Sequence, residues 1–205
     1  MSAATDDRPS SAAKGGAALD LAARERGFDT LYRSDPDPWG FETSDYERAK
    51  YDATLAALAG RRFGHALEVG CSIGVLTERL AAVAERVTGL DVSSVALERA
   101  RARARVPTAR FLHAEVPRDW PTGPYDLVVV SEVLYFLRAD EIEALARLVR
   151  RDLVSGGACV CVNWLGECDM PVDGARAAEI FRAALRWPVR TQATPLYRID
   201  VFTAP

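Results

Sequence analysis

The segment Glu68-Val69-Gly70-Cys71-Ser72-Ile73-Gly74 places two glycines directly after an apolar run. Glycine lets the backbone turn tightly and lets a ligand approach main-chain atoms. A helix beginning after it would offer free N–H groups. The spacing is G-x-x-x-G, not the G-x-G-x-x-G of dinucleotide enzymes. Ser72 stands where that pattern has its second glycine and Val75 where it has its third, so a pyrophosphate would meet side chains. This argues against a nicotinamide oxidoreductase. By itself such a loop is equally well a structural turn.

Three acidic positions give the loop more meaning. Asp91 closes the next apolar run, about 20 residues on, where a carboxylate can accept from both hydroxyls of a ribose. It could instead cap a helix, with Val92 and Ser93 beside it. Glu115, after Ala114, could accept from an adenine amino group or stand on the surface. His113 before them reads as a packed or surface residue. Ser131 and Glu132 follow the β-branched run Leu127 to Val130. Glu132 is a candidate base or a helix cap, and Tyr135 is a candidate pocket residue.

These groups need a scaffold that brings strand ends together. Short apolar runs at 66–69, 86–90, 109–112, 127–130 and 158–163 alternate with helical patterns at 75–84, 94–105 and 140–152. That alternation predicts right-handed βαβ crossovers. Two helices at 19–32 and 46–58 come first, split by the proline-rich stretch Ser34 to Gly40. A helix at 175–185 precedes runs at 189–193 and 197–203. Arg198, Asp200 and Thr203 interrupt the last run, which fits an edge hairpin. The expected fold is α/β: a doubly wound, seven-stranded, mostly parallel sheet with an antiparallel C-terminal edge hairpin. Ligands bind such sheets beyond the carboxyl ends of the strands.

Composition narrows the classes. The chain has 205 residues, 49% of them hydrophobic, enough for one core. A net charge of −3 gives no basic face for nucleic acid. Arg99, Arg101, Arg103 and Arg105 read as a solvated helix end rather than a polyanion site. Four cysteines (71, 159, 161 and 168) and two histidines do not make a metal site. Cys159 and Cys161 should share one side of a strand. No segment reads as a leader or a membrane span. The expectation is a cytoplasmic protein, a monomer or homodimer. Residues 1–18 are expected as a disordered tail, 19–60 as a helical lid and 61–205 as the ligand-binding domain.

Together the glycine loop, Asp91, the Phe111-to-Glu115 segment and the Tyr125-to-Leu137 segment resemble the class I S-adenosyl-L-methionine (SAM) dependent methyltransferases. Asp35-Pro36-Asp37-Pro38-Trp39, Tyr46-Glu47-Arg48 and Ser131-Glu132-Val133-Leu134-Tyr135 narrow the resemblance to the nodulation protein S (NodS) type. The resemblance implies SAM as cofactor and N-methylation of an amino sugar. It leaves open O- or C-methylation of another small metabolite, or a SAM-binding module without activity. Where relatives commonly end the fifth strand in His-Trp, this chain has Asn163-Trp164.

The resemblance places Glu68, Gly70, Cys71, Ser72 and Gly74 at the cofactor, with Asp91, Val92 and Ser93 at the ribose. Ala114, Glu115 and Ser131 complete that wall. Trp39 is expected to face the sulfonium, a cation–π contact of about 0.5–2 kcal/mol. Arg48 is expected to pair with the methionyl carboxylate. Glu132, Tyr135 and Asn163 are expected at the acceptor, together with the acidic loop Leu165 to Gly174.

Overall fold

A computed structural model describes residues 21–166, 170 and 172–205, without the side chains of 21 and 22. The tail expected over 1–18 lies outside the described residues. So do Cys168 and three members of the acidic loop, Glu167, Asp169 and Pro171.

Two helices come first, α1 (Leu21–Ser34) and α2 (Asp45–Ala57). Then β1 (Phe63–Val69), α3 (Val75–Leu80), β2 (Ala84–Asp91), α4 (Ser94–Arg103) and β3 (Ala109–His113) alternate. After β4 (Tyr125–Ser131) and one 3₁₀ turn (Leu134–Phe136) come α5 (Ala139–Asp152) and β5 (Leu153–Trp164). The chain ends with α6 (Gly174–Leu185), β6 (Val189–Ala193) and β7 (Tyr197–Thr203).

The seven strands lie in the order β3-β2-β1-β4-β5-β7-β6. The first five are parallel, and β7 pairs antiparallel with both β5 and β6. The expected fold class holds: β6 and β7 form the antiparallel hairpin at the C-terminal edge, with β6 outermost. Of the polar residues in β7, Thr203 is exposed and Arg198 partly so, but Asp200 is not. Asp200 is fully buried and meets Arg198 at 2.7 Å.

β4 shows why the sheet is covered on both sides. Val128 and Val130 pack toward α5 and α6 with Phe181, whereas Leu127 and Val129 pack toward α2 and α3 with Leu76 and Leu80. A strand buried on both faces reads as an unbroken apolar run. Cys159 and Cys161 do share one face. α2 stops at a Leu58 cap, earlier than Gly60, and α3 ends at Leu80, so the chain turns at once into a longer β2.

Two arginines of α4 are engaged within the chain. Arg101 donates to the Phe111 carbonyl, and Arg103 pairs with Glu42 and Glu78. No described helix is long and apolar enough to cross a membrane. Among the described residues no His, Cys, Asp or Glu cluster could hold a metal.

Candidate active site

The carboxyl ends of β1, β2, β3 and β4 open into one cavity roofed by α1 and α2. It encloses about 1070 Å³, its open mouth included.

The turn after β1 holds three residues at positive φ, Gly70, Ser72 and Gly74. Gly70 has φ +80°, and a Cβ there would sit 2.3 Å from Val133 Cγ2 and 3.1 Å from the Ser131 carbonyl. Only glycine fits at this point of the wall. Gly74 (φ +82°) starts α3 but does not line the cavity; its missing Cβ leaves room for Phe111, 3.0 Å away. Ser72, also at positive φ, shares a hydrogen bond with the Tyr32 hydroxyl of α1. Cys71 lines the cavity and packs with Leu97 and Phe111.

Glu68 faces the cavity from β1, fully buried, with Thr77 donating to its Oε2. Burial pushes its carboxyl up to about 7, against the Thr77 hydrogen bond. At the end of β2, Asp91 Oδ2 accepts the Ser72 N–H and Oδ1 accepts the Ser93 N–H, each at 2.8 Å. Burial raises this carboxyl, and the backbone donors partly offset it. Three backbone N–H groups, of Ser93, Ser72 and Val92, act on a carboxylate that has about four lone-pair sites, so it still has room for a ribose hydroxyl. Asp91 is not the helix cap. That role belongs to Ser93, whose hydroxyl accepts from Ala96 and donates to Asp29 of α1. Ser93 is therefore turned into the protein, and Val92 takes the place on the cavity wall.

Ala114 and Glu115 line the wall after β3. Glu115 is buried rather than on the surface, and Arg24 of α1 donates to it at 3.1 Å and to Glu141 at 3.0 Å. Burial raises the Glu115 carboxyl, with Arg24 pulling the other way. His113 stays exposed beside the Val92 carbonyl. Trp39 joins the roof, its ring 5.7 Å from Tyr32 and 5.6 Å from Phe41.

The β4 end is the polar end. Ser131 lines the cavity, and Glu132 follows at φ +58°. Its Oε1 accepts from Lys50 of α2 at 2.6 Å; its Oε2 accepts from the Tyr135 hydroxyl at 2.7 Å and the Trp164 N–H at 2.9 Å. Glu132 does not cap a helix. Lys50 also bonds Glu47 at 2.9 Å, and both line the cavity. Sequence reasoning missed Arg24, Glu47 and Lys50.

Besides Gly74 and Ser93, two more expected site residues, Arg48 and Asn163, fall off the cavity wall. Arg48 lies outside the cavity wall, its side chain 55% exposed and paired with Asp45. One residue along a helix is a turn of 100°, so Glu47 can face inward only with Arg48 facing away. Asn163 is fully buried beneath the β5 end, off the cavity wall. Neither of its side-chain polar atoms has a hydrogen-bond partner among the described residues.

Comparison with known proteins gives this geometry a family. The family model for nodulation protein S matches residues 28–164, which covers both the roof and the strand ends. Nodulation protein S of Bradyrhizobium diazoefficiens is 42% identical over 127 residues, covering 58% of this chain and 56% of the relative. That of Rhizobium tropici is 36% identical over 128 residues, covering 60% and 53%. The chain thus spans little more than half the length of these curated relatives. Among solved structures, a putative methyltransferase from Pseudomonas syringae aligns with a TM-score of 0.68 at 31% identity, over 77% of this chain and 98% of that one. The N-methyltransferase NodS of Bradyrhizobium japonicum, in complex with S-adenosyl-L-homocysteine, shares the fold with a TM-score of 0.74 at 23% identity, over 86% and 97%. Over residues 28–164, about two thirds of its length, the chain belongs to the nodulation protein S family.

Proposed function

We propose that this chain transfers a methyl group from SAM to the nitrogen of a small-molecule amine, in the most specific form an amino sugar. The observation that carries the reading is a row of strand ends on one cavity: Asp91 on β2, Gly70 after β1 and Glu132 after β4. Neighbouring strands lie about 4.8 Å apart, so the outer two acids are about 10 Å from each other with the glycine between them. That leaves room for a nucleoside on one side and an acceptor on the other.

The residues suit the cofactor. Asp91 would receive a ribose hydroxyl on its unused lone pair. Gly70 gives a cradle that any Cβ would fill. Glu68 is a carboxylate of this wall with no cationic partner among the described residues, suited to an ammonium group. Relatives named nodulation protein S, and a NodS N-methyltransferase holding S-adenosyl-L-homocysteine, support the same cofactor here.

When bound, SAM supplies a methyl group on a sulfonium, which is electrophilic already. The protein's share is alignment, and well-oriented reactants gain roughly 7–11 kcal/mol from it. An attacking amine must present a lone pair, so the site has to receive its N–H groups and direct them away from the cofactor. Glu132 and Tyr135 are the groups placed for that. In this reading α1 and α2 form the lid of a catalytic body that begins at residue 61. Free thiols at Cys71, Cys159 and Cys161 favour a reducing compartment.

Incubation with methyl-labelled SAM and a panel of amino sugars and phenols tests the reading. Label is expected on an amino sugar with a mass gain of one CH₂. Label on phenols alone would replace the amine by oxygen.

A further inference from the structure

Glu115 and Glu141 share one guanidinium at the β3 end of the cavity. Arg24 and Glu115 are each 6% exposed. Arg24 Nη1 donates to Glu115 Oε1 at 3.1 Å, and Nη2 donates to Glu141 Oε2 at 3.0 Å. The Arg138 N–H reaches the same Glu141 oxygen at 2.8 Å. Glu115 Oε2 accepts no hydrogen bond from a described residue; Arg118, 3.8 Å from it, is 57% exposed. Along the rim, Asp91 is paired with His113, and its carbonyl accepts the Ala114 N–H, so Glu115 is the next acid on the wall.

We propose that Arg24 makes the cavity selective for an aminopurine over an oxopurine: it holds Glu115 ionised, with one oxygen left to accept an amino group of the base. That a nucleoside occupies the cavity rests on the methyltransferase reading; the state of Glu115 rests on this geometry.

An ionised carboxylate accepts hydrogen bonds and cannot donate them. Adenine offers it an amino group. Hypoxanthine carries a carbonyl oxygen at the same place, and that oxygen would face the lone pairs of Glu115. A protonated Glu115 can donate to the oxygen instead, and the preference goes. What keeps the proton off is Arg24, because a buried carboxyl without a cation takes one up. Burial does raise the Glu115 carboxyl, with Arg24 opposing it. Arg24 is a positioning residue, since it acts through Glu115. It stands on α1, so base selection depends on that helix being docked. The charged groups facing Glu115 are Arg24 on α1, Arg118 and Asp119 after β3, and Glu141 on α5; His113 and Glu25 pair beside them.

The test compares S-adenosyl-L-homocysteine with its deaminated form, S-inosyl-L-homocysteine, by calorimetry on the whole protein between about pH 6 and 8. Both carry the same sugar and amino acid, so the titration of Glu68 at about 7 cancels in the ratio of their dissociation constants. In the wild type the adenosyl form should bind about tenfold tighter or more at every pH. In Arg24→Met the Glu115 carboxyl rises, so the ratio should fall toward unity at about pH 6 and recover toward about pH 8. Arg24→Lys should restore the flat profile. Glu115→Gln, whose amide both donates and accepts, should bind the two forms within about threefold.

A wild-type ratio near unity, a wild-type ratio that collapses toward acid pH, or an Arg24→Met ratio as flat as the wild type's overturns the proposal. If Arg24→Met does not fold, the wild-type profile and Glu115→Gln still decide. Failure of S-adenosyl-L-homocysteine to bind at all would sink the methyltransferase reading and the proposal with it. Tight adenosyl binding matched by inosyl binding sinks the proposal alone.

Discussion

The backbone N–H of Ser72 lies 2.8 Å from Asp91 Oδ2, which ties the turn after β1 to the end of β2. Asp91→Ala strands this donor and the Ser93 N–H, at about 1–3 kcal/mol each. Near 100-fold saturation, S-adenosyl-L-homocysteine should add about 2.7 kcal/mol to the wild type, or roughly 5–10 °C in melting temperature. The variant should melt lower and lose most of that shift. Equal shifts in both proteins would rule out Asp91 as the ribose contact.

Glu68 makes the ligand-free protein sensitive to pH. Burial holds its carboxyl at about 7, against an ordinary 4.5. Between these values the folded state binds more proton than the unfolded one. Stability therefore falls as pH rises through that window, by about 3 kcal/mol, and the loss is complete above it. Glu68→Gln removes the titration. Urea unfolding at acid and alkaline pH should show a steeper decline for the wild type than for the variant, and parallel declines would refute the idea.

Arg24→Met should be costly although it removes only one side chain. It leaves Glu115 and Glu141 buried without their shared cation, at about 3–5 kcal/mol. Burial already raises the Glu115 carboxyl. Losing Arg24 raises it further, so the deficit should grow as pH rises. Denaturant midpoints at two pH values measure both effects; a deficit below about 1 kcal/mol at either pH would count against a buried pair.

Arg48→Ala provides the contrast. Its exposed pair with Asp45 is of the kind worth under about 1 kcal/mol, and it does not reach the cavity. Stability should change by no more than about 0.5 kcal/mol, and S-adenosyl-L-homocysteine should bind as in the wild type. Weaker binding, read by calorimetry, would restore the contact expected from the sequence.

The strand ends were legible because their signal is local. An apolar run, a glycine and an acid follow one another in the chain, and a parallel sheet collects such endings at one rim. The roof was legible as a helical segment over 19–60, but not its inward charged residues Arg24, Glu47 and Lys50, because charged letters read as solvent-facing. Glu47, Lys50, Tyr51 and Thr54 recur at the spacing of a buried helix face, as the structure bears out. Read by residue type, Glu47 and Lys50 pass for a solvent-facing pair. Arg24, Phe28 and Tyr32 on α1 follow the same spacing and all line the cavity. Spacing without regard to polarity would have found both stripes. Asp200 misled in the same way, since a buried ion pair resembles exposure when only letters are read.

α1 reaches Ser72, Ser93, Glu115 and Glu141, partners 40, 64, 91 and 117 residues further along the chain. During synthesis it leaves the ribosome before any of them exists. The first described helix to be made is therefore among the last to find its place, and a nascent chain cut short of α5 has nowhere to dock it fully.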